Sequence, residues 1–295
     1  MSNILKIKGH SGCGLDVIDD GHELRVVKTS KESYLPRLEK QCKKQKETYE
    51  YLAFSSSFIK VPDAEWENNS INMKYIHGQS FIEFFEKAGT NEITDICTEI
   101  INYIEDEIAR SPIDAVSQDV FEKKWQSTYE AATKSPFYND DCYDGNHVPN
   151  SVRINESFNR MGKWFNKNNG KPIEIPMGVC HGDMTFSNII FNSAGLWLID
   201  FLDSFVETPL QDIVKLRQDT LYEWSTLMVD ASYNKVRIKT VFEYIDKKLD
   251  EYFKAYDWYK YYNMLQYMNI LRILPYVKEA NVNERLLNIL KTIDL

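Results

Sequence analysis

Val179 to Asp203 reads VCHGDMTFSNIIFNSAGLWLIDFLD, and its alternation of apolar runs and polar clusters decides the fold. Ile189-Ile190-Phe191 and Leu196-Trp197-Leu198-Ile199 are apolar runs separated by a turn from Asn192 to Gly195, which is the pattern of two strands and a hairpin. His181-Gly182-Asp183 and Asn188 precede the first run, and Asp200 directly follows the second. Two carboxylates and a carboxamide are therefore held at the ends of buried strands.

The spacing gives these groups a chemistry. Asp183 and Asn188 are five residues apart, as in the H-x-D-x-x-x-x-N loops of phosphoryl-transfer enzymes. An Asp beside a hydroxyl accepts its proton and aims the oxygen at a γ-phosphate. A neutral Asn oxygen and a second Asp suit Mg²⁺, which binds oxygen donors and shares them with phosphates. Positioning and charge neutralisation then carry the rate. Asp183 is the candidate catalytic base, with Asn188 and Asp200 as candidate metal ligands. Asp203 either assists the metal site or caps a turn. His181 reads as a structural hydrogen-bonder rather than a proton shuttle.

Upstream, residues 1–30 read as strand, glycine turn, strand, turn, strand. Gly9, Ser11, Gly12 and Gly14 lie in the first turn, GHSGCG, where backbone N–H groups can approach nucleotide phosphates. Lys28 ends an apolar strand, the place of the V-A-I-K lysine of kinases. A helix follows from about Ser33 to Ala53, with Leu38, Cys42, Gln45, Tyr49 and Leu52 on its inner face. Its inward polar residue is Gln45, read as facing Lys28, with Gln41 at the edge of that face; the alternatives are that Gln45 only hydrogen-bonds backbone, or that a different helical phase turns Glu39 or Glu47 inward. Phe58 to Pro62 and Ser70 to Ile76 complete a small sheet of about five strands. Met73, Lys74, Tyr75 and Ile76 can offer backbone groups and apolar side chains to a purine. Gly78 breaks the pattern and Ser80-Phe81-Ile82-Glu83 opens a helix as a capping box, which puts a lobe boundary near residue 77.

Downstream the chain reads as helical. Ile93, Ile96, Cys97, Ile100, Ile101, Ile104 and Ile108 form one core stripe. Phe121 to Thr133 and Val152 to Phe165 are amphipathic, and the acidic, aromatic segment between them, 137–147, is read as a surface loop. Thr208-Pro209 starts a helix with Asp212 in its first turn, and three more helical stretches fill 218–293.

Composition bounds the partners. The 295 residues carry a formal net charge of −9, which argues against nucleic-acid binding. Five scattered cysteines form no C-x-x-C pair, the pattern of free thiols in a reducing cytoplasm. No apolar run has the length of a membrane span, and the N-terminus lacks a signal-peptide core. A cytoplasmic protein with no membrane or nucleic-acid partner is expected.

The chain resembles the aminoglycoside phosphotransferase and choline kinase group, small-molecule kinases with a protein-kinase-like fold. The matching residues are Gly9 to Gly14, Lys28, Met73 to Gly78, His181-Gly182-Asp183 with Asn188, Ile199-Asp200-Phe201, and Pro209 with Asp212. Over about two-thirds of the length the order agrees, and the segment 181–212 is the distinctive part. The resemblance implies an α+β, two-lobe fold. A small antiparallel sheet with one helix forms the nucleotide-binding lobe, 1–77, and a larger helical lobe, 78–295, carries the catalytic loop and the acceptor site. It further implies Asp183 as base, Asn188 and Asp200 on Mg²⁺, Lys28 on the α- and β-phosphates of ATP or GTP, and Asp212 as a buried partner of the catalytic loop. Asp-Phe-Leu stands where a protein kinase has Asp-Phe-Gly, and no A-P-E motif follows, which favours a small-molecule acceptor. An amino alcohol, a sugar or glycan precursor, or an aminoglycoside would supply the hydroxyl; acidic balance and aromatic content lean toward an amine. Two other readings are a catalytically weak, pseudokinase-like nucleotide-binding scaffold of the same fold and a protein kinase.

Overall fold

The computed structural model describes residues 2–8, 13–19, 21–54, 58–138 and 148–295. The chain opens with strands β1 (Ser2–Lys8), β2 (Gly14–Asp19) and β3 (Leu24–Thr29), then helix α1 (Leu35–Leu52). Short strands β4 (Ile59–Lys60), β5 (Ala64–Glu67) and β6 (Ser70–Lys74) follow, then α2 (Phe81–Phe85) and α3 (Thr90–Ala109). Next come β7 (Ile113–Val116), α4 (Gln118–Ala132), α5 (Asn150–Asn168) and β8 (Ile173–Pro176). The hairpin β9 (Ile189–Asn192) and β10 (Gly195–Leu198) leads to α6 (Pro209–Tyr222), α7 (Lys235–Phe253), α8 (Tyr262–Leu271) and α9 (Ala280–Thr292).

Five strands form an antiparallel sheet in the order β1-β2-β3-β6-β5. The number agrees with the sequence reading, but the members differ. The expected strand Phe58 to Pro62 contributes only Ile59–Lys60, which pairs in parallel with β10 beside β9. Its place in the sheet is taken by Ala64–Glu67, joined to β6 through Asn68 and Asn69, both at positive φ. Such a turn suits Asn and twists as a hairpin requires. Periodicity cannot tell which sheet a short apolar run will join.

Helix α1 lies on this sheet through Leu38, Cys42, Ala64, Ile71 and Met73. Its buried residues are Leu38, Gln41, Cys42, Gln45 and Thr48, so the inner face is rotated toward Gln41 and Thr48 relative to the expected stripe. Ser80 caps α2 and Glu83 returns the capping-box bond to the Ser80 N–H at 2.8 Å, as the sequence indicated. The Ser80 backbone and side-chain bonds hold the Glu83 carboxyl below its ordinary range.

The chain parts into two compact units, 1–110 with 178–250, and 111–177 with 251–295. The expected break near residue 77 does not coincide with this division, because β4 pairs with β10 and Gln79 exchanges backbone bonds with Phe191. In the second unit β7 pairs with β8, and α5 is fixed to α8 and α9: the Tyr267 hydroxyl donates to Ser157 O at 2.9 Å and Arg153 pairs with Glu284. Among the described residues no helix is long and apolar enough to cross a membrane.

Candidate active site

The loop between Cys180 and Ile189 is held by one face of α6. Thr208 caps this helix, Pro209 starts it, and Asp212, Lys215 and Asp219 recur along it at helical spacing. Asp212 accepts from the His181 and Gly182 N–H groups, the latter at 2.7 Å. Asp219 accepts from the N–H of Phe186 at 2.6 Å and of Ser225 at 2.7 Å. Burial pushes both carboxyls up to about 6, against the lowering effect of these bonds. Asp212 is thus the buried partner of the loop that the resemblance implied. Glu107 of α3, fully buried near Asp212, has its carboxyl pushed well up by burial first and by Asp212 next.

Gly182 sits at φ +88°, and a Cβ there would lie 2.4 Å from the Leu202 carbonyl oxygen. Only glycine fits between the loop and residues 202–204. Beside it His181 is fully buried. Its Nδ1 accepts from the Asp183 N–H at 3.2 Å, so Nε2 carries the hydrogen and donates to Ile199 O at 2.9 Å. Burial lowers its pKa to about 4, so the ring is neutral and bridges the Asp183 loop to the Asp200 strand. This is the structural role the sequence suggested.

Asp183 is partly exposed. Its Oδ1 is 2.9 Å from Lys215 Nζ, and its Oδ2 accepts from Asn188 Nδ2 at 3.1 Å. Burial works to raise its pKa, and Lys215, His181 and Asn188 together outweigh burial and hold the carboxyl below the ordinary range. Asn188 Nδ2 also donates to Asp183 O at 2.8 Å, which leaves Oδ1 for a cation. Its own backbone oxygen accepts from Ile199 N–H at 3.0 Å, tying Asn188 to the strand that delivers Asp200.

Asp200 takes φ +62°, a conformation Asp tolerates better than most side chains, and its carboxylate is 35% exposed. It pairs with Lys28 Nζ. Lys28 donates also to Gln41 Oε1, at 3.1 Å. The helix partner of the lysine is therefore Gln41, not Gln45. Gln45 lies one turn further on and donates to Pro62 O at 3.0 Å and to Met73 Sδ at 3.4 Å. Periodicity gave the face but not the height along the axis. Glu39 and Glu47 are both exposed.

The same face of α1 holds the segment after Asp200. Arg37 Nε donates to Asp203 Oδ1 at 3.0 Å, so Asp203 is engaged in an ion pair. Lys44 Nζ donates to Leu202 O at 2.7 Å and pairs with Glu207. Arg37, Gln41 and Lys44 thus fix Asp203, Lys28 and Leu202 from successive turns of one helix.

The other nucleotide candidates are placed unevenly. Gly9, Ser11 and Gly12 lie outside the described residues, and Gly14 begins β2 opposite Thr29. Met73 packs in the cluster beneath α1, so its side chain is not available to a purine and only its backbone remains. Tyr75 N–H donates to Leu24 O at 2.9 Å, Lys74 pairs with Glu23 at 3.1 Å, and Ile76 is buried. Among the described residues no group of three or more His, Cys, Asp and Glu is arranged to hold a metal. The donor set Asn188 and Asp200 still fits Mg²⁺, which takes one or two protein oxygens and completes its shell with phosphates and water. Periodicity puts Gln41 only at the edge of the inner face and does not mark it as the lysine's partner, and Lys215 was missed; for Lys215 the signal is a charge on the Asp212 face of a helix whose start the sequence shows.

Residues 163–244 match the phosphotransferase enzyme family model. That span holds Asp183, Asn188, Asp200, Asp212 and Lys215. The fold is that of the aminoglycoside phosphotransferases. The streptomycin–ATP ternary complex of APH(2″)-IIa superposes with a TM-score of 0.55 at 15% identity, over 98% of this chain and 91% of that one. ADP-bound APH(2″)-Ib gives 0.55 at 15%, over 98% and 92%. A thermostable mutant of APH(4)-Ia, in ternary complex with AMP-PNP and hygromycin B, gives 0.56 at 9%, over 98% and 94%. No curated protein sequence matches the chain. At such identities the structural likeness speaks for the fold, and the α+β, kinase-like architecture read from the sequence is borne out.

Proposed function

We propose that this protein is a Mg²⁺-dependent phosphotransferase that moves the γ-phosphoryl group of ATP or GTP to a hydroxyl of a small molecule. The observation that carries the reading is the pairing of Asn188 with Asp183 and of Lys28 with Asp200, the two pairs tied together by the backbone bond from Ile199 N–H to Asn188 O. The family match over the same residues supports it. So do relatives of the fold whose structures hold ATP with streptomycin, or AMP-PNP with hygromycin B.

In this reading Asp183 accepts a hydrogen bond from the acceptor hydroxyl and orients its oxygen. The new O–P bond forms as the bond from phosphorus to the bridging β,γ-oxygen breaks, and that electron pair leaves on the nucleoside diphosphate. The hydroxyl proton passes to Asp183. Asn188 Oδ1 and Asp200 would hold Mg²⁺, which when bound offsets phosphate charge. Lys28, already at Asp200, binds the α- and β-phosphates. Residues 1–77 are assigned to the nucleotide and 78–295 to catalysis and the acceptor. The acceptor is assigned to amino alcohols, sugars or glycan precursors, or aminoglycosides.

The test is ADP or GDP release against a panel of these hydroxyl compounds, with binding of MgATP and MgGTP measured in parallel. Acceptor-dependent release that disappears in Asp183→Ala, with nucleotide binding retained, is expected. Failure of the wild-type protein to bind either nucleotide, or full turnover in Asp183→Ala, overturns the reading.

A further inference from the structure

Asp212, Lys215 and Asp219 line one face of α6, and the lysine does something different from the two carboxylates. The two carboxylates accept backbone N–H groups and thereby anchor the loop twice. Lys215 anchors no backbone. Its side chain is only 14% exposed, and its ammonium has the Asp183 carboxylate as partner, at 2.9 Å. Placing a cation there costs desolvation, and the loop is already held without it. A hydrophobic side chain would serve packing as well.

The charge balance of the reaction gives the lysine a task. Lys28 stands on the Asp200 side of the site, bonded to Asp200 and Gln41. Lys28 is bonded to Asp200 and not to Asp183, whose cationic partner is Lys215. During transfer the phosphoryl group comes to rest on an oxygen held by Asp183, at a hydrogen-bond distance of about 2.7 Å. A phosphate monoester and an aspartate would then be in contact. Oδ2 of Asp183 is covered by Asn188, and Oδ1 faces Lys215. An ammonium on four methylenes can hold the carboxylate and reach a phosphoryl oxygen beyond it.

Resting on the phosphotransferase reading above, we infer that Lys215 is a catalytic cation that contacts the phosphoryl group as it passes from the nucleotide to the oxygen oriented by Asp183. It acts at the acceptor end of the reaction, and Lys28 at the donor end.

The test needs no knowledge of the acceptor, because water can take its place. Slow hydrolysis of MgATP is measured by ADP release for the full chain, with Lys215→Met, Lys215→Gln and Lys215→Arg alongside. The expected result is a fall in kcat of about tenfold or more in the Met and Gln variants, with KM for MgATP and affinity for MgADP within about twofold of wild type. Lys215→Arg should recover a substantial part of kcat, since it restores the charge. Hydrolysis at the wild-type rate in Lys215→Met overturns the inference and leaves the phosphotransferase reading intact. So does a loss shared by all three variants together with MgADP affinity, the mark of a structural role. If Lys215→Met does not fold, equal rates in Lys215→Arg and Lys215→Gln overturn it. Wild-type protein that binds MgATP and never hydrolyses or transfers its phosphate overturns the phosphotransferase reading, and the inference with it.

Discussion

Lys28 Nζ donates a 3.1 Å hydrogen bond to Gln41 Oε1, and the amide of Gln41 in turn donates to the Tyr34 hydroxyl at 3.0 Å. The carboxamide is oriented by both bonds, with its oxygen toward the ammonium. A neutral partner fixes the lysine in place while leaving its charge to Asp200 and to phosphates. Replacing Gln41 by Ala should weaken MgATP binding about tenfold, the scale of a hydrogen bond to a charged group. Gln45→Ala, one turn away, should lower the melting temperature and leave nucleotide affinity within about twofold. Titration calorimetry on both variants checks the assignment; the reverse pattern would restore Gln45.

Gly182→Ala should damage the loop directly. A methyl group 2.4 Å from the Leu202 oxygen, at φ +88°, forces the loop away from residues 202–204. A loss of roughly 2 kcal/mol or more in unfolding free energy is expected from strain and displacement together. Chemical denaturation measures it, and a neutral substitution would mean that the loop is not seated there.

Lys44 supports the segment that follows Asp200. Lys44→Met leaves Glu207 without its cation and Leu202 O without its donor. Because Glu207 is partly exposed, the expected destabilisation is about 2 kcal/mol, below the range for fully buried pairs. Glu207→Gln in the Lys44→Met background should recover part of it. No recovery would mean that packing, not charge, is what was lost.

The buried neutral His181 gives a pH signature. Its folded pKa of about 4 lies below the ordinary 6.5, so the native state binds fewer protons than the unfolded chain. Its contribution is complete above pH 6.5 and is lost as pH falls toward 4, by about 3 kcal/mol in all. Asp212 and Asp219, with raised pKa values, act with the opposite sign: their contribution is present below pH 3.8 and lost as pH rises through about 6. His181→Gln isolates the first effect. Its stability should fall less than that of wild type between pH 6.5 and 4, and an identical slope would contradict the burial of a neutral ring.

The groups that the sequence showed most clearly are those set by local spacing. Asp183 and Asn188 are separated by one short loop, and Asp200 ends the next hairpin, so one stretch displays all three. The capping box at Ser80 and the Thr208-Pro209 helix start were legible for the same reason. What stayed hidden depends on contacts distant along the chain. Lys28 meets Asp200 across 172 positions, and the height of Gln41 relative to Lys28 depends on how α1 seats on the sheet. Ile59 and Lys60 have the residues of a strand, yet the partner they chose, β10, lies far downstream. Lys215 has no local partner in the sequence that sets it apart, and only the fold puts it against Asp183.

Phosphoryl transfer to a small-molecule hydroxyl at Asp183 can be followed by phosphorus NMR. Wild-type protein is incubated with MgATP or MgGTP and pooled amino alcohols, sugars and aminoglycosides, with Asp183→Ala as the parallel sample. A new phosphomonoester resonance is expected, growing in step with the nucleoside diphosphate signals in the wild-type sample, and none in Asp183→Ala that still binds nucleotide. A phosphomonoester formed at the same rate by both proteins, or bound nucleotide that yields none with wild type, would contradict it.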